Sequence, residues 1–246
     1  MCKTRFIALA IGVLMSVHQA EAGKGHLLEG RRSDFIKEFT PYVARANYKV
    51  SRQRNRLLAI REYFYRTGNI NHESGEFLLE MANLYHVKWK LNPRNFRNSL
   101  LSLMNELAIR IDVVPIRLVL AQAIIETGWG RSQAAKVTNN YFGITTRTNS
   151  GRFVTASETA TYYLKTYNSL EEGIEDYILI LNTRRSYEPF RRLRAFYRAN
   201  NSRLLADRLS AGLLKYSELR HQYVAKLNFV IHKYLRVEYT HYLMNS

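Results

Sequence analysis

Cysteine is nearly absent: the one cysteine among 246 residues is Cys2, at the start of the chain. If the N-terminus is a leader that is removed, no disulfide, no thiol nucleophile and no cysteine-ligated metal remains. Proline and glycine are sparse as well, 4 and 12 residues. The chain therefore lacks the punctuation that many short strands need, and helices are favoured. Acidic residues are outnumbered, 20 against 37 basic ones, giving a formal charge of +17. That excess points to an anionic partner, whether nucleic acid, an acidic lipid surface or an acidic polymer. His26, His72, His86, His221, His232 and His241 show no metal-like spacing. No Gly-rich phosphate loop and no Ser-His-Asp or Cys-His set can be read, so neither a metal nor a cofactor is expected. What is present is apolar substance: 46% of residues are hydrophobic, enough to bury a core and to exclude disorder of the whole chain.

The first residues narrow the partner. Met1-Cys2-Lys3-Thr4-Arg5 is a short basic head, Phe6 to Val17 is an apolar run, and Ala20-Glu21-Ala22 fits a small-x-small cleavage pattern. The run is short against the about 20 residues that a membrane span needs. The pattern predicts a cleaved secretory signal over residues 1–22, and no cysteine follows the run to carry a lipid anchor. Export makes specific nucleic-acid binding a poor account of the basic surface and leaves an anionic cell-envelope surface as a partner.

Past a flexible lead at 23–31, the pattern is helical from Phe35 to about Thr67, with Ser33 as a cap and Pro41 as a break near the start. Arg45, Lys49, Arg52, Arg54, Arg56 and Arg61 crowd this segment and read as a solvated helix face. Further helices are predicted over Asn71–Tyr85 and Pro93–Ile111, with Phe96, Leu100, Leu103, Met104 and Leu107 recurring at three and four residues. Residues 144–168 are rich in Thr, Ser, Tyr and Val around Asn149-Ser150-Gly151, the pattern of a small hairpin. Helices follow from Ser169, Tyr187, Ser202 and Ser217, the last reaching about Tyr239 with Tyr223, Leu227, Val230, Ile231 and Tyr234 on its core face. The fold class is mainly α (α+β), helices with one small β-hairpin lobe. The expected organisation is a signal at 1–22, a basic helical extension at 23–94 and a second domain at 95–246.

One stretch stands out. From Pro115 to Glu126 the chain reads as an almost wholly apolar helix in which Gln122 is the only polar residue after Arg117 until Glu126, and Gly128-Trp129-Gly130 follows at once. Proline suits a helix start, Asp112 is placed to cap it, and the two glycines end it. Glu126 thus leaves the core where the chain turns. A carboxyl half in an apolar wall keeps its proton to higher pH, which a general acid needs near neutrality.

Leu120-Ala121-Gln122-Ala123-Ile124-Ile125-Glu126-Thr127-Gly128-Trp129-Gly130, followed by Asn139-Asn140-Tyr141-Phe142-Gly143, resembles the glucosaminidase domain of bacterial peptidoglycan hydrolases (glycoside hydrolase family 73-like). The family pattern is LAQAxxESGWG then NNLFG; Thr127 stands for the usual Ser and Tyr141 for the usual Leu. Leu181-Asn182-Thr183 to Tyr187, and Gly212-Leu213 to Tyr216-Ser217 with Tyr223 beyond, are similar to the Bax-like proteins of Gram-negative bacteria. The resemblance covers about residues 95–236. It implies a lysozyme-like domain, a periplasmic location, and hydrolysis of the β-1,4 bond after N-acetylglucosamine in peptidoglycan glycan strands, with Glu126 as general acid. Many members carry a second acid in the hairpin, in a Thr-Thr-Glu-Tyr context, but the matching stretch here is Thr145-Thr146-Arg147-Thr148. Glu158 from the other strand, the substrate's own 2-acetamido group, or Tyr187 from the loop after the lobe are the candidates for the missing role. Trp129 and Tyr141 are placed to stack on sugars. Gln122, Asn139, Asn140 and Phe142 complete the expected substrate site, with packing the main expectation for Phe142 and holding the β lobe, rather than meeting the acetamido group, the main one for Asn139 and Asn140. A lytic transglycosylase or muramidase shares the lone-Glu helix, and a noncatalytic wall-binding or scaffold protein would account for the missing hairpin acid.

Overall fold

The computed structural model describes residues 22–146 and 163–235. The expected signal up to residue 21 and the hairpin tip, with Arg147 and Glu158, lie outside these. Among the described residues the helices are α1 (Ala22–Thr67), α2 (His72–Leu84), α3 (Phe96–Arg110), α4 (Ile116–Thr127), α5 (Gln133–Thr138), α6 (Leu170–Thr183), α7 (Glu188–Ala199), α8 (Ala206–Leu209) and α9 (Arg220–Tyr234). Two short strands, β1 (Thr145–Thr146) and β2 (Tyr163–Leu164), pair antiparallel with Thr145 opposite Leu164 and Thr146 opposite Tyr163. The fold is mainly α with a two-stranded lobe, as the sequence predicts.

Side-chain caps open three of the helices. Asn71, Ser132 and Ser169 accept from the amides of Ser74, Ala135 and Glu172, opening α2, α5 and α6; each satisfies a donor that the helix itself leaves open. Expectations for the start of α1 fail, and Ser33, expected as its cap, lies inside the helix. The lead at 23–31 is helical, and α1 runs through Pro41 without ending. Proline removes one backbone donor, yet the helix continues because its apolar face is anchored on both sides. Phe35, Ile36 and Phe39 before Pro41, and Val43, Ala46, Val50, Leu57, Ile60 and Phe64 after it, all enter the same core as α3, α4 and α6. Next to the proline, the Thr40 hydroxyl donates to the Ile36 carbonyl.

The basic run on α1 is also not simply a solvated face. Arg45 and Lys49 pair with Glu171, and Lys49 with Glu175, on α6. Arg56 meets Glu73 of α2 at 2.7 Å, and Arg61 donates to Asn105 of α3 at 3.3 Å. Exposed pairs of this kind contribute about 1 kcal/mol or less, so they set register more than stability.

Other arginines, with Arg191 and Arg194 among them buried, do something different: they close helix ends. The last carbonyls of a helix have no partner within it and carry its partial negative charge. Arg194 of α7, buried, donates to the carbonyls of Ile109, Arg110, Asp112 and Val113 at 2.9–3.2 Å, at the end of α3. Arg54 donates to Ala108 and Ile111 at the same end. Arg191 reaches Leu181 and Arg184 at the end of α6, Arg110 reaches Tyr85 and Thr183, Arg117 reaches Ile231, and Arg97 reaches Tyr65.

Asp112, expected to cap α4, serves this cluster instead. Its carboxylate accepts from Arg198 at 2.8 and 3.0 Å and faces Arg54 and Arg194 at 3.5 and 3.8 Å. Pro115 takes the cap position of α4, with no side-chain cap bond. Burial by itself would raise the Asp112 carboxyl, but the hydrogen bond from Arg198 and the charges of Arg194 and Arg54 outweigh it and hold the pKa below the ordinary value.

Candidate active site

Helix α4 is buried along almost its whole length between α1, α8 and α9, so its C-terminal end is fixed by packing. There the chain takes three left-handed residues in succession, Gly128 (φ +58°), Trp129 (φ +65°) and Gly130 (φ +71°). Trp129 bears a Cβ and so is strained in that region. Thr127 holds the turn: its hydroxyl donates to the Ala123 carbonyl at 2.6 Å and accepts from the Gly130 amide at 2.8 Å. A hydroxyl is what this position requires, which explains why Thr serves where the resembling family has Ser.

Glu126 is set just before this turn. It keeps some solvent access, yet protein atoms surround its carboxyl on most sides. Gly143 forms the opposite side: a Cβ there would stand 3.8 Å from Glu126 Oε2, and its φ of +63° favours glycine. The backbone after Asn140 can therefore pass close to the carboxylate. On the other flank, Tyr223 of α9 donates its hydroxyl to Glu126 Oε1 at 3.0 Å. Gln122 Nε2 donates to that Tyr223 oxygen at 3.2 Å, and the Tyr177 hydroxyl donates to Gln122 Oε1. A chain of four side chains from three helices thus ends on the carboxylate. Rings lock it in place: Tyr223 stacks on Tyr216 at 5.2 Å, and Tyr177 on Phe142 at 3.8 Å.

The electrostatics follow from this geometry. Burial pushes the Glu126 carboxyl up from 4.5 to about 7, against the opposing hydrogen bond from Tyr223 and the charge of Lys226. The group is protonated in much of the pool near neutrality and ionises just above it.

The other expected site residues divide. Gln122 is 0% exposed, so it orients Tyr223 and touches no sugar. Asn140 is spent on the lobe: its amide nitrogen donates to the Ile144 and Lys165 carbonyls, both at 2.8 Å, and its oxygen accepts from the Phe142 and Ile144 amides. With both donors and both acceptor positions used, it has nothing left for an acetamido group. Asn139, in a left-handed conformation, donates to the Tyr167 carbonyl at 3.0 Å and so ties α5 to the same lobe. Phe142 is buried against Tyr177. Tyr187 is 0% exposed and packs on Tyr216 at 6.1 Å. It lies within electrostatic reach of Glu126, but burial is the main cause of its raised phenol pKa. Trp129 and Tyr141 keep partial exposure, but both lean on α1. Trp129 meets Phe35 and Tyr234 edge-on with Arg32 over its ring, and Tyr141 meets Phe39 at 5.2 Å.

Comparison with known proteins agrees with this geometry. A family model described as mannosyl-glycoprotein endo-beta-N-acetylglucosaminidase matches residues 101–236, more than half of the chain. The chain belongs to the Glucosaminidase family. Its members are glycoside hydrolases of the endo-β-N-acetylglucosaminidase type, and the Glucosaminidase match takes in α4, the lobe and α9, every element that touches Glu126. Protein bax of Escherichia coli (strain K12) is 29% identical over 187 residues, 76% of this chain and 64% of that protein. The chain thus spans less than two thirds of the length of this relative. No solved structure matches it.

Tyr223, one of five core-face positions in the pattern of the last helix, is the one in contact with the carboxylate. Its substitution tests the arrangement. Tyr223→Phe removes a hydrogen bond that favours the ionised form, so the Glu126 pKa rises further. The alkaline limb of activity is expected to move up by about one pH unit, since a hydrogen bond to a charged group contributes about 1.5–3 kcal/mol. A pH–rate profile of kcat/KM reads the shift; an unmoved limb shows that Tyr223 does not act on the acid.

Proposed function

We propose that the chain hydrolyses the β-1,4 bond after N-acetylglucosamine in peptidoglycan, with Glu126 as general acid. The observation that carries this reading is a carboxyl held between Tyr223 and Gly143 and raised to about 7 by burial, in a chain of a glycosidase family. As a glycosidic bond breaks, the leaving oxygen needs a proton while positive charge develops on the sugar ring. A carboxyl protonated near neutrality supplies it, and acid catalysis of this kind contributes about 10²–10⁴-fold in rate. Tyr223 steadies the carboxylate left behind, and Gln122 and Tyr177 keep Tyr223 aimed. Trp129 and Tyr141 remain proposed sugar contacts on their exposed edges. Glu158, or the substrate's acetamido group, is proposed for the partner role. The basic head, apolar run and cleavage pattern at residues 1–22 support export to the periplasm of a Gram-negative bacterium, where this polymer is the substrate at hand.

Mass spectrometry of products from purified cell wall tests the chemistry. Fragments ending in reducing N-acetylglucosamine are expected. Anhydro-muramic ends would mark a lytic transglycosylase, reducing muramic ends a muramidase, and tight wall binding without any product a noncatalytic binder; each of these would overturn the proposal.

A further inference from the structure

We propose that the far end of α1, together with the connection from α2 to α3, is a docking surface for an anionic phospholipid membrane. From Met81 to Asn105 the chain has no acidic residue. Every residue from Lys90 to Asn98 is exposed, and this run carries Lys90 and Arg94, with Lys88 exposed just before it. Three large apolar side chains stand among these cations: Tyr65 is 65% exposed, Leu91 46% and Phe96 39%.

The segments are held together as one surface. Arg97 donates to the Tyr65 carbonyl at 2.7 Å, Phe96 packs edge-on against Phe64 at 6.1 Å, and Ser99 donates to the Lys90 carbonyl and accepts from the Asn92 amide, both at 3.2 Å. Trp89 backs the connection, its indole nitrogen donating to the Ser99 carbonyl at 2.8 Å. Cations that attract headgroup phosphates, with aromatic and aliphatic tips that enter the interface between headgroups and acyl chains, are what a membrane surface selects. A soluble polyanion needs the charges alone and gives no reason for exposed Leu91 and Phe96.

The position adds to the argument. Phe35 on α1 touches Trp129 beside Glu126, and Tyr65 lies thirty residues further along the same helix, about 45 Å at about 1.5 Å per residue. The surface is therefore remote from Glu126, and its binding is independent of the chemistry there.

The two tryptophans, Trp89 and Trp129, lie at opposite ends and report which end meets the bilayer. In the full chain, Trp129→Phe leaves Trp89 as sole emitter and Trp89→Phe leaves Trp129. With vesicles of equal parts phosphatidylcholine and phosphatidylglycerol carrying brominated acyl chains, Trp89 emission is expected to be quenched and Trp129 emission to be unchanged. Replacing Lys88, Lys90 and Arg94 together by Gln is expected to weaken vesicle binding about a hundredfold, since each basic residue near an anionic surface strengthens binding about fivefold. Tyr65→Ser, which keeps every charge, is expected to weaken it several-fold. Quenching of Trp129 instead of Trp89, no quenching of either, or undiminished vesicle binding by both the triple and the Tyr65 variants overturns the proposal. Salt-sensitive binding to soluble polyphosphate without Trp89 quenching overturns it in favour of a polyanion.

Discussion

Replacing Glu126 by Gln is expected to lower glycan cleavage by at least about 10²–10⁴-fold and to make the folded chain more stable above pH 7. Both effects have one origin. Glutamine fills the same space and still accepts from Tyr223, but it carries no proton to give. In the native protein the carboxyl is raised from 4.5 to about 7 because burial disfavours its ionised form. A folded pKa above the unfolded one means that the folded state binds more protons between the two values, so stability falls as pH rises across that window. Above about 7 the ionised carboxylate weakens the fold by on the order of 3 kcal/mol, and the neutral amide of the Glu126→Gln variant relieves it. Cell-wall clearing assays read the first effect, and denaturant unfolding at pH 5 and pH 8 the second. Full activity in Glu126→Gln removes the general acid from the mechanism; equal stability of the two proteins at pH 8 shows that the carboxyl is not strained.

Asp112→Ala is expected to destabilise the chain by about 3–5 kcal/mol, the usual result of breaking a buried ion pair from one side. Arg194 is among the most fully buried side chains, and Asp112 offsets its charge and that of Arg54 while accepting two hydrogen bonds from Arg198. The pH dependence has the opposite sign to that of Glu126. The folded pKa of Asp112 lies below its ordinary value of 3.8, so its contribution is present above that value and is lost as the pH falls through the lower, folded one. Urea titration of both proteins at pH 7 and near pH 3 is expected to show a large difference at the first and a smaller one at the second. A loss under about 1 kcal/mol at pH 7, no more than an exposed pair contributes, would show that the arginines are held by backbone carbonyls alone. The pH at which activity declines, set by Glu126, is expected not to move.

What was legible in the sequence was local. Caps at Asn71, Ser132 and Ser169 act on amides three residues away, so the chain displays both partners together. The Glu126 helix was legible because its apolar run, its glycines and its acid are contiguous. Asn140 was legible as a holder of the lobe because most of its partners, Phe142 and Ile144, lie two and four residues away, whereas Gln122 read as a sugar contact because its partner, Tyr223, is 101 residues distant. The arginine forks were illegible for the same reason: Arg194 serves carbonyls more than eighty residues earlier. Nothing in a carbonyl's own sequence marks it as needing a cap. Pro41 misled because local propensity predicts a break, while packing along both halves of α1 overrides it.

The arginines that close helix ends bear on what the protein's isoelectric point means. Titration counts every guanidinium, but counter-ions and ligands meet only those that face water. Arg54, Arg191 and Arg194 spend their forks on carbonyl dipoles and one carboxylate inside the protein. A share of the +17 is therefore internal mortar, invisible to any polymer outside. The valence with which this chain greets an anion is set by where its cations sit, and the tip beyond α1 concentrates it in a way that the composition cannot express.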